Sequence, residues 1–129
     1  MGGVVSCEVS EDKSVITVEM GKVSFWSDAV PVNISGEARE VCDETIEVNG
    51  KSLQYFAATI GNPHCVVPVK DANKEMAMEL GTSLENHPNF PNRTNVQFLQ
   101  VIDRNRIKIE IWERGAGYTL ASGSSSSAA

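Results

Sequence analysis

Three short blocks hold the residues best equipped for chemistry: Gly61-Asn62-Pro63-His64-Cys65, Pro91-Asn92-Arg93-Thr94-Asn95-Val96, and the run from Glu113-Arg114-Gly115-Ala116-Gly117 to Ser122-Gly123-Ser124. They offer an imidazole beside a thiol, a guanidinium beside a carboxylate, and a carboxamide in each of the first two. A metal is not expected, because His64 and His87 lie far apart and Cys7, Cys42 and Cys65 show no Cys-x-x-Cys spacing. His64 and Cys65 are neighbours, but alternation along a strand sends them to opposite faces, so Cys65 reads as buried packing. Cys7 and Cys42 have no partner motif and read as structural. On composition alone Glu113 and Arg114 are a surface salt bridge at a strand end. The adjoining Gly115-Ala116-Gly117 and the two asparagine blocks turn that reading towards a site.

These blocks need elements to hold them, and the pattern is chiefly one of strands. Val15 to Val18 and Lys22 to Trp26 are β-rich runs divided at Gly21, and Pro31 to Ile34 is a third. Thr45 to Val48, then Asn49-Gly50, then Lys51 to Thr59 predict a hairpin with a type I′ turn, since asparagine and glycine tolerate positive φ at both central positions. His64 to Val69 predicts a further strand. Ala72 to Glu85 is the one convincing helix: Met76, Leu80 and Leu84 recur at four-residue spacing, Asp71 or Asn73 can cap it, and Pro88 and Pro91 stop it. Thr94 to Ile102 and Ile107 to Ile111 alternate on either side of a polar turn, Asp103 to Arg106, as a second antiparallel hairpin. The small residues from Ala121 to Ala129 favour a linker on composition, with the first turns of a tightly packed helix as the alternative.

The chain has 129 residues, 41% hydrophobic and 22% charged, enough for one modest core and one domain. Eleven basic against seventeen acidic side chains give a net charge of −6 without a basic stripe, so nucleic acid is not an expected partner. Trp26 and Trp112 therefore read as core or domain-contact residues rather than a base-stacking platform. His87 before Pro88 reads as a turn residue, and Asp12, Glu37, Glu40 and Glu44 as solvated surface. Met1-Gly2-Gly3 has no charged-then-apolar signal pattern, and no apolar run approaches the ~20 residues that cross a bilayer. Three widely spaced cysteines fit reduced thiols, and a cytoplasmic protein without a membrane partner is expected.

In order and in separation, the three blocks resemble the signature series of the diaminopimelate epimerase family, and Glu19-Met20-Gly21 and His87-Pro88-Asn89-Phe90-Pro91 match further landmarks. The resemblance covers nearly the whole chain. It implies an α+β fold in two similar domains, each a mostly antiparallel sheet curled around a central helix, with the active site between them. Residues 1–129 would be most of the C-terminal domain, lacking the N-terminal domain and the tail that continues the central helix and completes the sheet. In this context the serine-rich end becomes the start of a helix. The apolar sheet face left open by a partial domain implies a homodimer.

The resemblance also implies a reaction without pyridoxal phosphate or any other cofactor. Two thiols invert the α-carbon of LL-diaminopimelate to the meso form in lysine biosynthesis, one taking the proton and the other delivering one from the opposite face. Carried over by position, Asn62, Asn95 and Arg114 would hold the distal ammonium and carboxylate of this diaminopimelate-like amino acid. The backbone N–H groups of Gly123 and Ser124 would receive the reacting carboxylate. Glu113 would assist the thiol of this domain, and His64 that of the other. Where the family has its thiol, however, this chain has Ser122, and Ser127 likewise replaces a second cysteine. A cysteine of pKa ~8.5 can be brought to thiolate at a helix N-terminus, whereas an alkoxide lies many units higher. The chain alone is therefore expected to be inactive. A non-catalytic amino-acid-binding or assembly module, or an isomerase of altered chemistry, are the alternatives.

Overall fold

The computed structural model describes residues 4–129; Met1-Gly2-Gly3, and with it the reading of a missing signal pattern, lies outside them. Strands β1 (Ser6–Val9) and β2 (Ile16–Glu19) form a two-stranded hairpin of their own. The main sheet is built from β3 (Glu44–Val48), β4 (Lys51–Thr59), β5 (Pro63–Pro68), β6 (Asn95–Asp103), β7 (Arg106–Glu113) and β8 (Gly117–Thr119), adjacent in that order. Each pairing is antiparallel except β5 with β6, which is parallel and is bridged by helix α1 (Lys74–Glu85). A parallel pair needs such a crossover, and here it brings the starts of β5 and β6 side by side. This mostly antiparallel α+β sheet is the architecture that the motifs imply.

The local chemistry explains the elements. Asn49 and Gly50 both have positive φ, 49° and 74°, and the register pairs Val48 with Lys51, as a type I′ hairpin requires. Of the two candidate caps for α1, Asn73 acts: its side chain accepts from the Met76 N–H at 2.9 Å. Ala77, Leu80 and Leu84 are buried and Met76 is half-buried, packed with Cys65, Val67, Val96 and Phe98. The second short helix, α2 (Gly123–Ala128), takes the opposite sheet face, because its Ser125 bonds to Gln97, whose strand neighbours Val96 and Phe98 face α1. Strand β5 is covered on both faces, so it is buried from Pro63 to Val67. Context wins over composition at the tail: Ser122 to Ala128 is a capped helix, not a linker.

Two runs differ from expectation. Lys22 to Trp26 makes only isolated bridges, Ser24 with Thr59 and Trp26 with Glu40, and Pro31 to Ile34 joins no strand. Turn hydrogen bonds from Ala29 and Val30 back to Trp26, and from Val32 to Ser27, carry this segment past the sheet instead of along it. Trp26 is consequently 47% exposed and outside the core, while Trp112 packs against it. Cys7 and Cys42 are exposed and Cys65 is buried. His87 does sit in a turn, with Nε2 3.0 Å from the Glu47 carbonyl. Glu44 is drawn from solvent by Arg39 at 2.6 Å. Among the described residues, no helix is long and apolar enough to cross a membrane.

Gly81 on α1 lies against the Trp112 ring of β7, which leaves no room for a Cβ. Gly81→Ala should lower stability by about 2 kcal/mol through overpacking, despite alanine's better helix propensity. Urea denaturation measures this; a stabilised variant would show that the ring yields freely.

Candidate active site

The parallel pairing sets His64 opposite Asn95, and the β6–β7 register sets Val96 opposite Trp112, which brings Glu113 to the level of Asn95. One carboxamide then joins the three motif blocks. Asn95 Nδ2 donates to the Pro63 carbonyl and Asn95 Oδ1 accepts from the Arg114 backbone N–H, both at 2.9 Å. The residue is buried, so these bonds offset a desolvation that would otherwise oppose folding. Asn95 Nδ2 keeps a second hydrogen for another acceptor.

Helix α2 begins above this junction. Ser122 is its N-cap, with Oγ accepting from the Ser125 N–H at 3.4 Å and lying 3.3 Å from Ser124 Oγ. The first-turn N–H groups of Gly123 and Ser124 lie before the point where intrahelical acceptors become available, so an anion can use them. Asn62 Nδ2 donates to Ser124 Oγ at 3.4 Å, and Asn62 Oδ1 is 3.0 Å from His64 Nε2. Asn62, His64, Asn95 and the Glu113–Arg114 pair are thus gathered at one end of the sheet beneath a helix start. Arg114 is half-buried, with Nη1 donating to the Asn92 carbonyl at 2.9 Å, and Glu113 accepts from Thr119 Oγ1 at 3.3 Å.

Burial dominates the electrostatics. It lowers the pKa of His64 to about 4, against the Gln97 side chain and the Glu113 carboxylate, which favour the charged ring, while Arg114 opposes it. Full burial pushes the Cys65 thiol far up, so it packs as an inert apolar group, as its strand position predicts.

Two residues of this region escape sequence reasoning. Glu85, at the end of α1, is buried: Oε1 accepts from Arg93 Nη1 and from the Gly115 N–H, each at 2.9 Å, and Oε2 from Trp112 Nε1 at 2.8 Å. It holds the Glu113–Gly117 turn from the α1 side as Asn95 holds it from the other. Gln97 is the second, fully buried and bonded through Nε2 to Ser125 Oγ at 3.0 Å. For Gln97 the one sequence signal is a polar residue within an otherwise apolar stretch; Glu85, between Leu84 and Asn86 at a helix end, gives none.

Asn95→Leu would strand the Pro63 carbonyl and the Arg114 N–H, with an expected loss of about 2–4 kcal/mol in urea denaturation. Loss within about 0.5 kcal/mol would mean that water replaces the carboxamide. His64 gives a pH prediction. Its folded pKa of about 4 lies below the ordinary 6.5, so between these values the unfolded chain binds a proton that the folded chain refuses. Stability is complete above pH 6.5 and falls as the pH drops towards 4, by about 3 kcal/mol at the limit. Comparing His64→Gln with the parent across that window should remove a slope of about one proton; equal slopes would contradict the burial argument.

The family model described as diaminopimelate epimerase matches residues 56–129. Diaminopimelate epimerase 2 of Nostoc sp. is 56% identical over 128 residues, 99% of this chain and 44% of the relative. Diaminopimelate epimerase of Pseudomonas savastanoi pv. phaseolicola is 39% identical over 127 residues, 98% of this chain and 45% of the relative, and that of Halothermothrix orenii 36% over 126 residues, 95% and 44%. The chain spans less than half the length of these relatives. With the sheet, the three joined blocks and the family match in agreement, this chain belongs to the diaminopimelate epimerase family.

Proposed function

We propose that residues 1–129 are most of the C-terminal domain of a diaminopimelate epimerase-type isomerase and supply one side of its substrate site. The observation that carries this reading is the convergence of Asn62, His64, Asn95 and Glu113–Arg114 under the start of α2. In it, Arg114 engages the distal carboxylate by a charge-assisted fork, and Asn62 and the spare Asn95 hydrogen complete the distal clamp. The N–H groups of Gly123 and Ser124 receive the carboxylate beside the reacting carbon, where fixed donors stabilise charge as the α-proton leaves. His64 and Glu113 serve the two proton-transferring groups, His64 that of the complementary domain. The family's reaction uses no pyridoxal phosphate, so this carboxylate cradle is the main stabiliser of the carbanion-like state.

Ser122 limits the reading. Its hydroxyl is a far weaker base than a thiolate, and its oxygen already caps α2. That second engagement favours an alternative in which the chain binds an amino acid or assembles with a partner without turnover; an isomerase of altered chemistry is a third possibility. The reading also includes a homodimer, supported by an apolar groove of about 490 Å³ beside α2 that Phe25, Phe56, Val66, Leu99 and Val101 line.

Exchange of the diaminopimelate α-proton into deuterated water, with a complementary N-terminal domain supplied, separates these readings. Ser122→Cys should exceed the parent by about a hundredfold or more, given the gap in basicity. Equal rates would defeat the argument from Ser122. Calorimetry that finds no diaminopimelate binding at millimolar concentration to the folded pair would remove the clamp.

A further inference from the structure

Gln97 lies in β6, fully buried on the face that α2 covers. Its Nε2 donates to Ser125 Oγ, which directs the carbonyl Oε1 away from the helix, and that oxygen has no hydrogen-bond partner among the described residues. The other buried side-chain atom in this condition is His64 Nδ1, on the neighbouring strand and the same face. The Gln97 side chain stands beside the imidazole and favours its charged form.

The opposite ring nitrogen explains the match. With Asn62 Nδ2 donating to Ser124 Oγ, the acceptor Oδ1 faces His64 Nε2 at 3.0 Å, and in this arrangement Nε2 carries the hydrogen. In neutral His64, Nδ1 is then a bare acceptor, and so is Gln97 Oε1. One added proton satisfies both.

We propose that Gln97 is a positioning residue for His64: anchored by Ser125, its carboxamide presents Oε1 as the acceptor for a proton that His64 takes up at Nδ1. The source of that proton rests on the function proposed above. It belongs to the proton-transferring role proposed there for His64, and in the imidazolium Nε2–H lies on Asn62 and Nδ1–H on Gln97. Glu113 on β7 favours the charged ring and Arg114 opposes it; α2, made only of glycine, serine and alanine, adds no side-chain charge.

Nitrogen-15 NMR of histidine-labelled full chain carrying His87→Gln leaves His64 as the one imidazole reporter. At pH 7 the neutral ring should be the Nε2–H tautomer. Gln97→Glu, of equal length, should raise its pKa by about one unit or more, and Gln97→Met should lower it by about half a unit, because the first strengthens and the second removes the acceptor. An Nδ1–H tautomer in the protein with Gln97 intact overturns the proposal, as does a pKa unmoved by both substitutions. The tautomer requires no change at Gln97, so an Nδ1–H ring overturns the proposal even if the variants fail to fold. Neither readout involves substrate: absence of diaminopimelate binding would remove the functional reading and leave this result standing.

Discussion

The site depends on a single buried carboxamide. Asn95 accepts from Arg114 and donates to Pro63, so the end of β7, the start of β6 and the start of β5 are held at hydrogen-bond distance. This is possible only because β5 and β6 run parallel and begin at the same edge, which in turn requires α1 as the crossover. From the other side Glu85 accepts the next backbone N–H, that of Gly115, and is held by Arg93 and Trp112. Two consecutive amides are thus fixed from opposite faces. A turn rich in glycine, with positive φ at Gly115 and Gly117, is stiffened by buried acceptors rather than by its own side chains.

Much of the fold was legible because its signals are local. Asn49-Gly50 specifies both positive φ values of its turn, and the Met76, Leu80, Leu84 spacing specifies one helix face. The Lys22 to Trp26 run misled because strand propensity names no partner: its side chains suit a strand, but only two isolated bridges are available to them. Strand β1 gave no buried alternation to detect, being exposed throughout.

The polar framework was less legible. Motif resemblance singles out Asn62, Asn95 and Arg114, and the structure adds what Asn95 does for the fold: it links the other two blocks. Glu85 at a helix end reads as solvated, and Gln97 in a β-rich run as a surface position; both are buried because α1, β7 and α2 close over them. Burial of a polar side chain is a property of three elements meeting, and no spacing along one of them reveals it.

Ser122 stands at the N-cap of α2, where a side-chain oxygen is the preferred acceptor for the helix's own N–H groups, and serine is among the best residues there. A thiol is a weak acceptor and caps poorly, but as a thiolate it can exploit the same positive helix end for chemistry. The position therefore sets two demands against each other. With serine, the hydroxyl turns inward to Ser125 N–H, and Ser125 Oγ in turn accepts from Gln97, so the helix start is consolidated into the polar network beneath it. With cysteine, the group would be freer to face a substrate. Serine thus favours an ordered helix start: its oxygen is engaged by the Ser125 N–H, and in the function proposed above that engagement competes with proton transfer while leaving the Gly123 and Ser124 N–H groups at the first turn.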